Sequence, residues 1–599
     1  MKRIHYYIIC AVCAVCGLSS CSDFLEIEPQ NEIILEQFWN EKADVDGIIA
    51  GCYSGMQSDD VIKRMMVWGE FRSDNIGPGS NIQSDANLEK ILKENIDAKN
   101  TYTNWSSFYT VINRCNTVIK YAPGVADIDA AYTQSELQAN IAEVVALRSL
   151  CYFYLIRAFR DVPFSREAFI DDDQTMDVPA TKFNDVLDSL IYDLESVKNN
   201  AVKRYPETKE MYQTGRITQD AIHALLCELY LWKKDYQNCV RYADLVINSK
   251  KAIYEENRKK KTSSVNNEDN TDRFNGFPLV SNTMSSNTFG YTYTKLFGSD
   301  QSYVDEVNQE IIFQLVFDDD PDATKMKANG AVNSFYGSAQ NGRRSVGLVA
   351  PSGYIYDQID ATGQDRIVFA DRNKKLDSRI YFNCIYSGGG SGSNSDQAIH
   401  KYTTSRIDIS TAGSTPSADY RTPYTSGQNG SNWIIYRLTD IMLLKAEALT
   451  QMMSKDSETE TSDSDRSLLD QAFTLVNAVN KRAILQIQLA DTLRRTDYNN
   501  KEDMEDLVLQ ERQRELMFEG KRWFDLVRHA QRNNDTWKLA AAAIKKATNG
   551  TDLISNHLKK MDAIYWPYNL DEIKVNLNLV QNPAFSSGED ESYQKTTKK

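Results

Sequence analysis

Histidine is scarce: His5, His223, His400, His529 and His557 are the only five in 599 residues. They form no HExxH and no metal-ligand spacing, and the chain also lacks a GxSxG elbow and a glycine-rich phosphate loop. Hydrolytic, zinc and nucleotide chemistry therefore have no recognisable residues to rest on. Basic charge is in deficit too, with a formal net charge of −15. Nucleic-acid binding needs Lys and Arg to neutralise phosphates, so that class is disfavoured and no nucleic acid partner is expected. Beyond the first 20 residues no apolar run approaches the roughly 20 residues of a membrane span. CxxC pairs are missing as well, except at Cys10, Cys13 and Cys16. Those three lie in a leader that is removed, so no metal is assigned to them.

That leader carries Lys2 and Arg3, then the apolar run "YYIICAVCAVCGL", the layout of an export signal. Leu18-Ser19-Ser20-Cys21 follows, a lipobox pattern in which Cys21 receives the lipid. Two or more acyl chains hold a protein on a membrane at about 0.8 kcal/mol per buried CH₂. The reading is a lipoprotein signal peptide over 1–20 and a single mature domain over 21–599. After Cys21 six cysteines remain, and several fall on apolar helical faces, so they read as small buried hydrophobes. Tyrosine is abundant, at 32, with 8 tryptophans. Both side chains offer a flat apolar face and a polar tip.

Helical periodicity dominates about 30–250 and 431–585. "ELQANIAEVVALRSLCYFYLIRAFRD" carries an apolar stripe, and "ITQDAIHALLCELYLWKKDYQNCVRYADLVI" breaks at Lys233-Lys234-Asp235 into a helix hairpin of tetratricopeptide type. "YRLTDIMLLKAEALTQM" with "LLDQAFTLVNAVNKRA" makes a second pair, and helices at 104–121 and 134–160 a third. The expected fold class is mostly α: a tetratricopeptide-like helical-hairpin scaffold with a loop-rich face and a few short strands. The stretch of about 255–430 is rich in Ser, Asn, Gly, Thr and Tyr and reads as that loop-rich insertion. "LQERQRELMFEGKRWFDLVRHA", Leu509 to Ala530, reads as one long helix, with Gly520 inside it marking a close approach of another backbone.

That last segment closely resembles the C-terminal signature of the SusD/RagB family of Gram-negative surface lipoproteins. "CSDFLEIEPQ", "ALRSLCYFYLIRAFRDVPF", "YRLTDIMLLKAEAL" and "YWPYNLDEIKVNLNLVQNPAF" resemble its other landmarks, in the family's order. The resemblance implies a binding protein, not an enzyme, with the loop-rich face as its ligand-binding face. It implies a lid on a TonB-dependent (SusC-like) outer-membrane transporter, which captures a glycan, or alternatively an oligopeptide, and delivers it to the barrel. It further implies a surface-exposed position in the outer membrane, with the acidic residues after Cys21 resembling the surface-export signal.

Glu511 and Glu515 stand one helical turn apart, about 5.4 Å, near a retaining glycosidase's carboxylate spacing. They share one helix with arginines, so they read as structural. "IDDDQTMD" and "FDDDPDAT" lack the EF-hand glycine and glutamate and read as exposed acidic turns; a structural Ca²⁺ is the one alternative to them, and no other cofactor is expected. His223 reads as packed. Sugar binding asks for an aromatic platform flanked by hydrogen-bonding side chains. The candidates are Arg72, Asp74 and Asn75 in "GEFRSDNIGPGS", and Trp105 at a helix start. Two tyrosine pairs complete the set, Tyr291 with Tyr293 and Tyr354 with Tyr356, each pair alternating along a strand-like loop. Trp105 has a second reading, as a staple packed on its helix. Trp68, Trp232, Trp433, Trp523 and Trp566 read as core.

Overall fold

The computed structural model describes residues 38–586, except 172, 261–273, 282, 286–287, 299–303, 318–327, 341–342, 357–376, 385–397, 405, 411–416, 421–423, 425–426, 455–461, 486–492 and 547–550. The leader, Cys21 and most of "FDDDPDAT" lie outside the described residues.

Helices account for most of the described chain. The first group comprises α1 (Lys42–Met56), α2 (Ser106–Ile128), α3 (Gln134–Phe159) and α4 (Phe183–Val197). α5 (Gln219–Trp232) and α6 (Tyr236–Lys260) follow. Each helix packs on its chain neighbour: α1 on α2, α2 on α3, α3 on α4, α5 on α6. Local chemistry fixes the ends. Thr133 accepts the amide of Glu136 and Glu136 reaches back to the Thr133 amide at 3.1 Å, so α3 opens on a reciprocal cap. The α5–α6 turn closes through Lys234 at φ 65°, and Asp235 then accepts the Asn238 amide at 3.1 Å.

The second group is α7 (Leu438–Gln451), α8 (Asp463–Ala483), α9 (Lys501–Leu516) and α10 (Arg522–Asn533). α7 packs on α6, α8 and α9, so it joins the two groups. α11 (Trp537–Lys545), a helix over Thr551–Leu558 and α12 (Leu570–Val575) complete the C-terminal part. The expected single helix from Leu509 to Ala530 is two helices, broken over 517–521. Gly520 adopts φ +72° there, a conformation costly to any residue with a Cβ. The close approach expected at Gly520 is present: a Cβ placed on Gly69 would fall 1.8 Å from the Gly520 carbonyl oxygen.

Between the groups lie short strands. β1 (Ile76–Pro78) pairs antiparallel with β3 (Val349–Pro351), and β2 (Ile311–Leu315) with β4 (Trp433–Arg437). "EIIFQLVF" is thus the strand its apolar run suggests. The strands Thr283–Ser285, Thr288–Phe289, Ile407–Ser410 and Ser417–Tyr420 form a further sheet. One large core spans scaffold and insertion, and it holds Trp68, Trp232, Trp433, Trp523 and Trp566. Cys52, Cys115, Cys151, Cys227, Cys239 and Cys384 are buried free thiols, as small apolar side chains would be. His223 is buried against Tyr242.

Candidate functional site

The helix Asp59–Met66 runs into a wider turn, Val67–Phe71, which delivers "RSDN" into the interior rather than to the surface. Arg72 is fully buried: its guanidinium pairs with Glu94 at 2.8 Å and donates to the carbonyls of Ala563 and Ile564. It also lies over the Trp523 ring, 4.3 Å from the centroid. Asn75 donates to Glu70 at 2.7 Å and accepts from Gln513 at 2.8 Å. Asp74 pairs with Arg522 at 3.0 Å. Burial pushes its carboxyl up, but Arg522 and Lys545 outweigh that and hold it below the usual range. The expectation that Arg72, Asp74 and Asn75 contact ligand is therefore corrected: all three are committed inside the framework.

Of the tyrosine pairs, the structure describes one side chain in each. Tyr291 and Tyr293 begin a helix, Tyr291–Phe297, and not a strand-like loop. Tyr293 is buried against Phe297 and Phe382, and its hydroxyl donates to the His400 carbonyl at 2.7 Å. Tyr354 and Tyr356 also fall on a short helix, Gly353–Tyr356, where alternate residues do not share a face. The side chains of Tyr291 and Tyr356 lie outside the described residues.

Tyr354 is different. It is half-buried, and the Lys545 ammonium donates to its hydroxyl at 2.8 Å while lying 4.1 Å from its ring centroid. The β1–β3 ladder, extended by the Ser352 amide donating to the Asn75 carbonyl at 2.9 Å, sets this turn beside Asp74. The arrangement is an aromatic ring and an exposed ammonium at the surface, seated on a buried Asp74–Arg522 pair. Sequence reasoning missed Lys545, whose contact with Tyr354 joins segments 191 positions apart, and Arg522, whose partner Asp74 lies 448 positions away. A rigid tyrosine beside a cation can stack on the C–H face of a ring and donate to a hydroxyl.

Trp105 stands immediately before α2 and is 3% exposed. Its ring meets Tyr109 and Phe159 edge-on and Tyr568 at a tilt. It packs as a staple and presents no free platform, which corrects the stacking expectation. One side still contributes to a cleft of about 460 Å³ between the start of α2, the segment 163–178 and α12. Glu572 lines this cleft; burial pushes its carboxyl up and the Trp105 indole N–H draws it partly back. Sequence reasoning overlooked this cleft, although "VNLNLV" at 575–580 shows apolar residues out of helical period.

Glu511 and Glu515 are buried among cations. Arg379 reaches Glu511 at 2.8 Å, Arg514 reaches it at 2.8 Å, and Arg437 reaches Glu515 at 2.5 Å. Burial raises the Glu515 carboxyl, yet Arg482, Arg437 and Arg379 overcome it and hold it well below the carboxylate range. A proton donor and a nucleophile need separated protonation states, and this network gives neither. In "IDDDQTMD", Gln174 accepts the amides of Ile170 and Asp171.

Packed helix pairs carrying an irregular insertion of short strands and loops make this a mostly helical fold of the hairpin-scaffold class. Comparison gives the family. Residues 309–585 match the model of the SusD family, and residues 23–231 match that of "Starch-binding associating with outer membrane". The chain belongs to the SusD/RagB family. SusD-like protein P38 of Formosa agariphila is 26% identical over 85% of this chain and 88% of its own. A SusD-like protein of Bacteroides fragilis superposes with a TM-score of 0.61 at 18% identity, covering 93% of this chain and 99% of its own. Surface glycan-binding protein A of Bacteroides thetaiotaomicron, solved with laminarihexaose, gives 0.57 at 16% identity, covering 91% and 100%.

Proposed function

We propose that this protein is a lipid-anchored, surface-exposed glycan receptor. It captures oligosaccharide without cleaving it and passes it to a TonB-dependent transporter. The observation that carries the reading is the Tyr354–Lys545 pair: an aromatic face and a cation held at the surface by the β1–β3 ladder and α11. Family membership supports it, as does the binding of laminarihexaose by a protein of the same fold. Cys21 is the tether in this reading and Ser22 onward the soluble body.

The test is calorimetric titration of a form starting at Ser22 with host, plant and microbial glycans and with mixed peptides. Tyr354→Ala and Trp105→Ala are measured beside it. Stacking on an aromatic ring contributes about 0.5–1.5 kcal/mol, so Tyr354→Ala is expected to weaken the bound glycan about two- to twelvefold, with intact melting. Trp105→Ala is expected to lower the melting temperature and to spare affinity. A glycan whose affinity ignores Tyr354 would move the site elsewhere on the insertion, and the absence of any bound glycan would defeat the reading.

A further inference from the structure

The amide and phenol groups in the walls of the Trp105 cleft are already engaged. The Asn113 amide donates to the Phe169 carbonyl and accepts the Phe169 amide, both at 2.8 Å. Asn116 donates to Glu167 and accepts from Arg148, also both at 2.8 Å. Tyr109 donates to the Pro163 carbonyl at 2.7 Å and Tyr152 to that of Ser165 at 2.9 Å. A hydroxyl-rich ligand would give up water and gain few partners there.

What the cleft does offer is apolar surface and negative charge. Met176 (57% exposed) and Val575 (75%) line its mouth, and Leu577 and Val580 continue along the same segment, also exposed. Large side chains gathered this way on a folded surface mark an interaction site. Glu572 and Asp177 are in the wall. Asp571 is next to Glu572, and Asp171 and Asp173 are exposed on the segment that carries Met176. Among the described residues no cation forms an ion pair with Glu572; Lys574 is paired with Asp571 and Arg166 with Asp193. An apolar slot with acidic borders is complementary to an apolar side chain flanked by cations.

We propose that this cleft is a docking site for a segment of a partner protein in which an apolar anchor is bordered by Lys or Arg. The anchor enters between Trp105, Tyr109 and Leu579, and the flanking cation meets Glu572 and Asp177. The site is separate in its residues from the Tyr354–Lys545 pair, so its fate does not depend on the glycan reading.

The probe is the end-capped peptide Lys-Leu-Phe-Leu-Lys, titrated calorimetrically into the detergent-solubilised mature chain. Three comparison peptides are an analogue with Glu for Lys, one with Ser for the apolar residues, and the uncapped parent. The capped cationic peptide is expected to bind, and both substituted analogues to fail. Glu572→Gln should weaken it about tenfold, the loss of one charge-assisted contact. Val575→Arg should abolish it. Both positions are part-exposed, so melting should be intact, and glycan affinity should be unchanged in both variants. Equal binding of the anionic analogue would overturn the proposal, as would no binding at about 1 mM, where binding is barely favourable. A requirement for free termini would make the ligand a nutrient peptide and overturn it. Loss of glycan binding in Glu572→Gln or Val575→Arg would make the cleft part of the sugar site, again against it.

Discussion

Arg72 shows why polar residues in a loop-like sequence mislead. "FRSDN" has the composition of a ligand-binding turn, and nothing local distinguishes it from a buried ionic junction. The difference is made by Glu94, Trp523, Trp566 and two backbone carbonyls from positions 563 and 564, which only tertiary structure assembles. The consequence is testable. Arg72→Met leaves Glu94 buried without its cation, a kind of change that costs about 3–5 kcal/mol. Melting temperature should fall by several degrees while glycan affinity in the folded fraction stays as it was; a ligand contact would show the reverse. The large apolar residues were easier to read, since five tryptophans assigned to the core from sequence are all in it. Tyr354 lies between these cases. Its residue type marked it, but its importance comes from Lys545, which no sequence spacing announces.

Among the elements, the α9–α10 junction was half legible. The glycine at 520 signalled a close backbone contact, and that contact exists, but helical periodicity carried the helix straight through a turn. The break is held from outside. α10 has no side-chain cap of its own, and Glu70 stands in for one: it accepts the turn amides of Phe518 and Lys521, both at 3.0 Å, and the first amide of α10, that of Arg522, at 3.4 Å. Burial keeps the Glu70 carboxyl above its ordinary range, and these donors only partly offset it. The same crossing brings Gly69 onto Gly520, with no room for a methyl group on Gly69. Gly69→Ala must push two backbones apart, and overpacking of this kind costs about 1–3 kcal/mol. Its urea midpoint should fall clearly below that of Gly51→Ala, where a Cβ meets nothing within 4 Å and helix propensity favours the change by up to about 1 kcal/mol. Equal midpoints would show that the two segments do not touch in solution.

At the scale of the whole molecule, the helical class was legible because paired amphipathic stripes and turn residues repeat along the chain. The ionic part of the junction between scaffold and insertion was not, because its partners are far apart in the chain. Lys401 reaches Glu519 at 2.6 Å, Arg379 reaches Glu511 at 2.8 Å, and Arg482 reaches Glu310 at 2.5 Å. Similar pairs bind α7 to α9 and α10: Arg512 to Asp440 at 2.9 Å and Arg528 to Glu447 at 2.6 Å. These pairs set the acid limit of the protein. Burial raises the Asp440 carboxyl, but Lys521 and Arg512 win and bring it down to about 2. Glu447 is lowered further, burial again being outweighed by Arg528 and Arg532. A carboxylate whose folded pKa lies below its unfolded value stabilises the fold above that unfolded value, about 4. That stability is lost as pH falls toward the folded value.

His529 adds an earlier phase. It packs beside Glu505, Arg532 and Asn533, and burial lowers it to about 4, so the native ring is neutral while the unfolded one protonates near 6.5. The unfolded state therefore binds more protons between about 6.5 and 4, and stability declines as pH drops through that window. The difference is worth up to about 3 kcal/mol, at 1.36 kcal/mol per unit. Melting measured from pH 8 to pH 3 should thus fall gently below about 6.5 and steeply below about 4. His529→Gln, neutral throughout, should shrink the gentle phase, to which His223 and His557, also lowered by burial, add their share, and should keep the steep one. If instead the variant keeps the full decline above pH 4, the early loss belongs to another group and His529 is not the residue that begins acid unfolding.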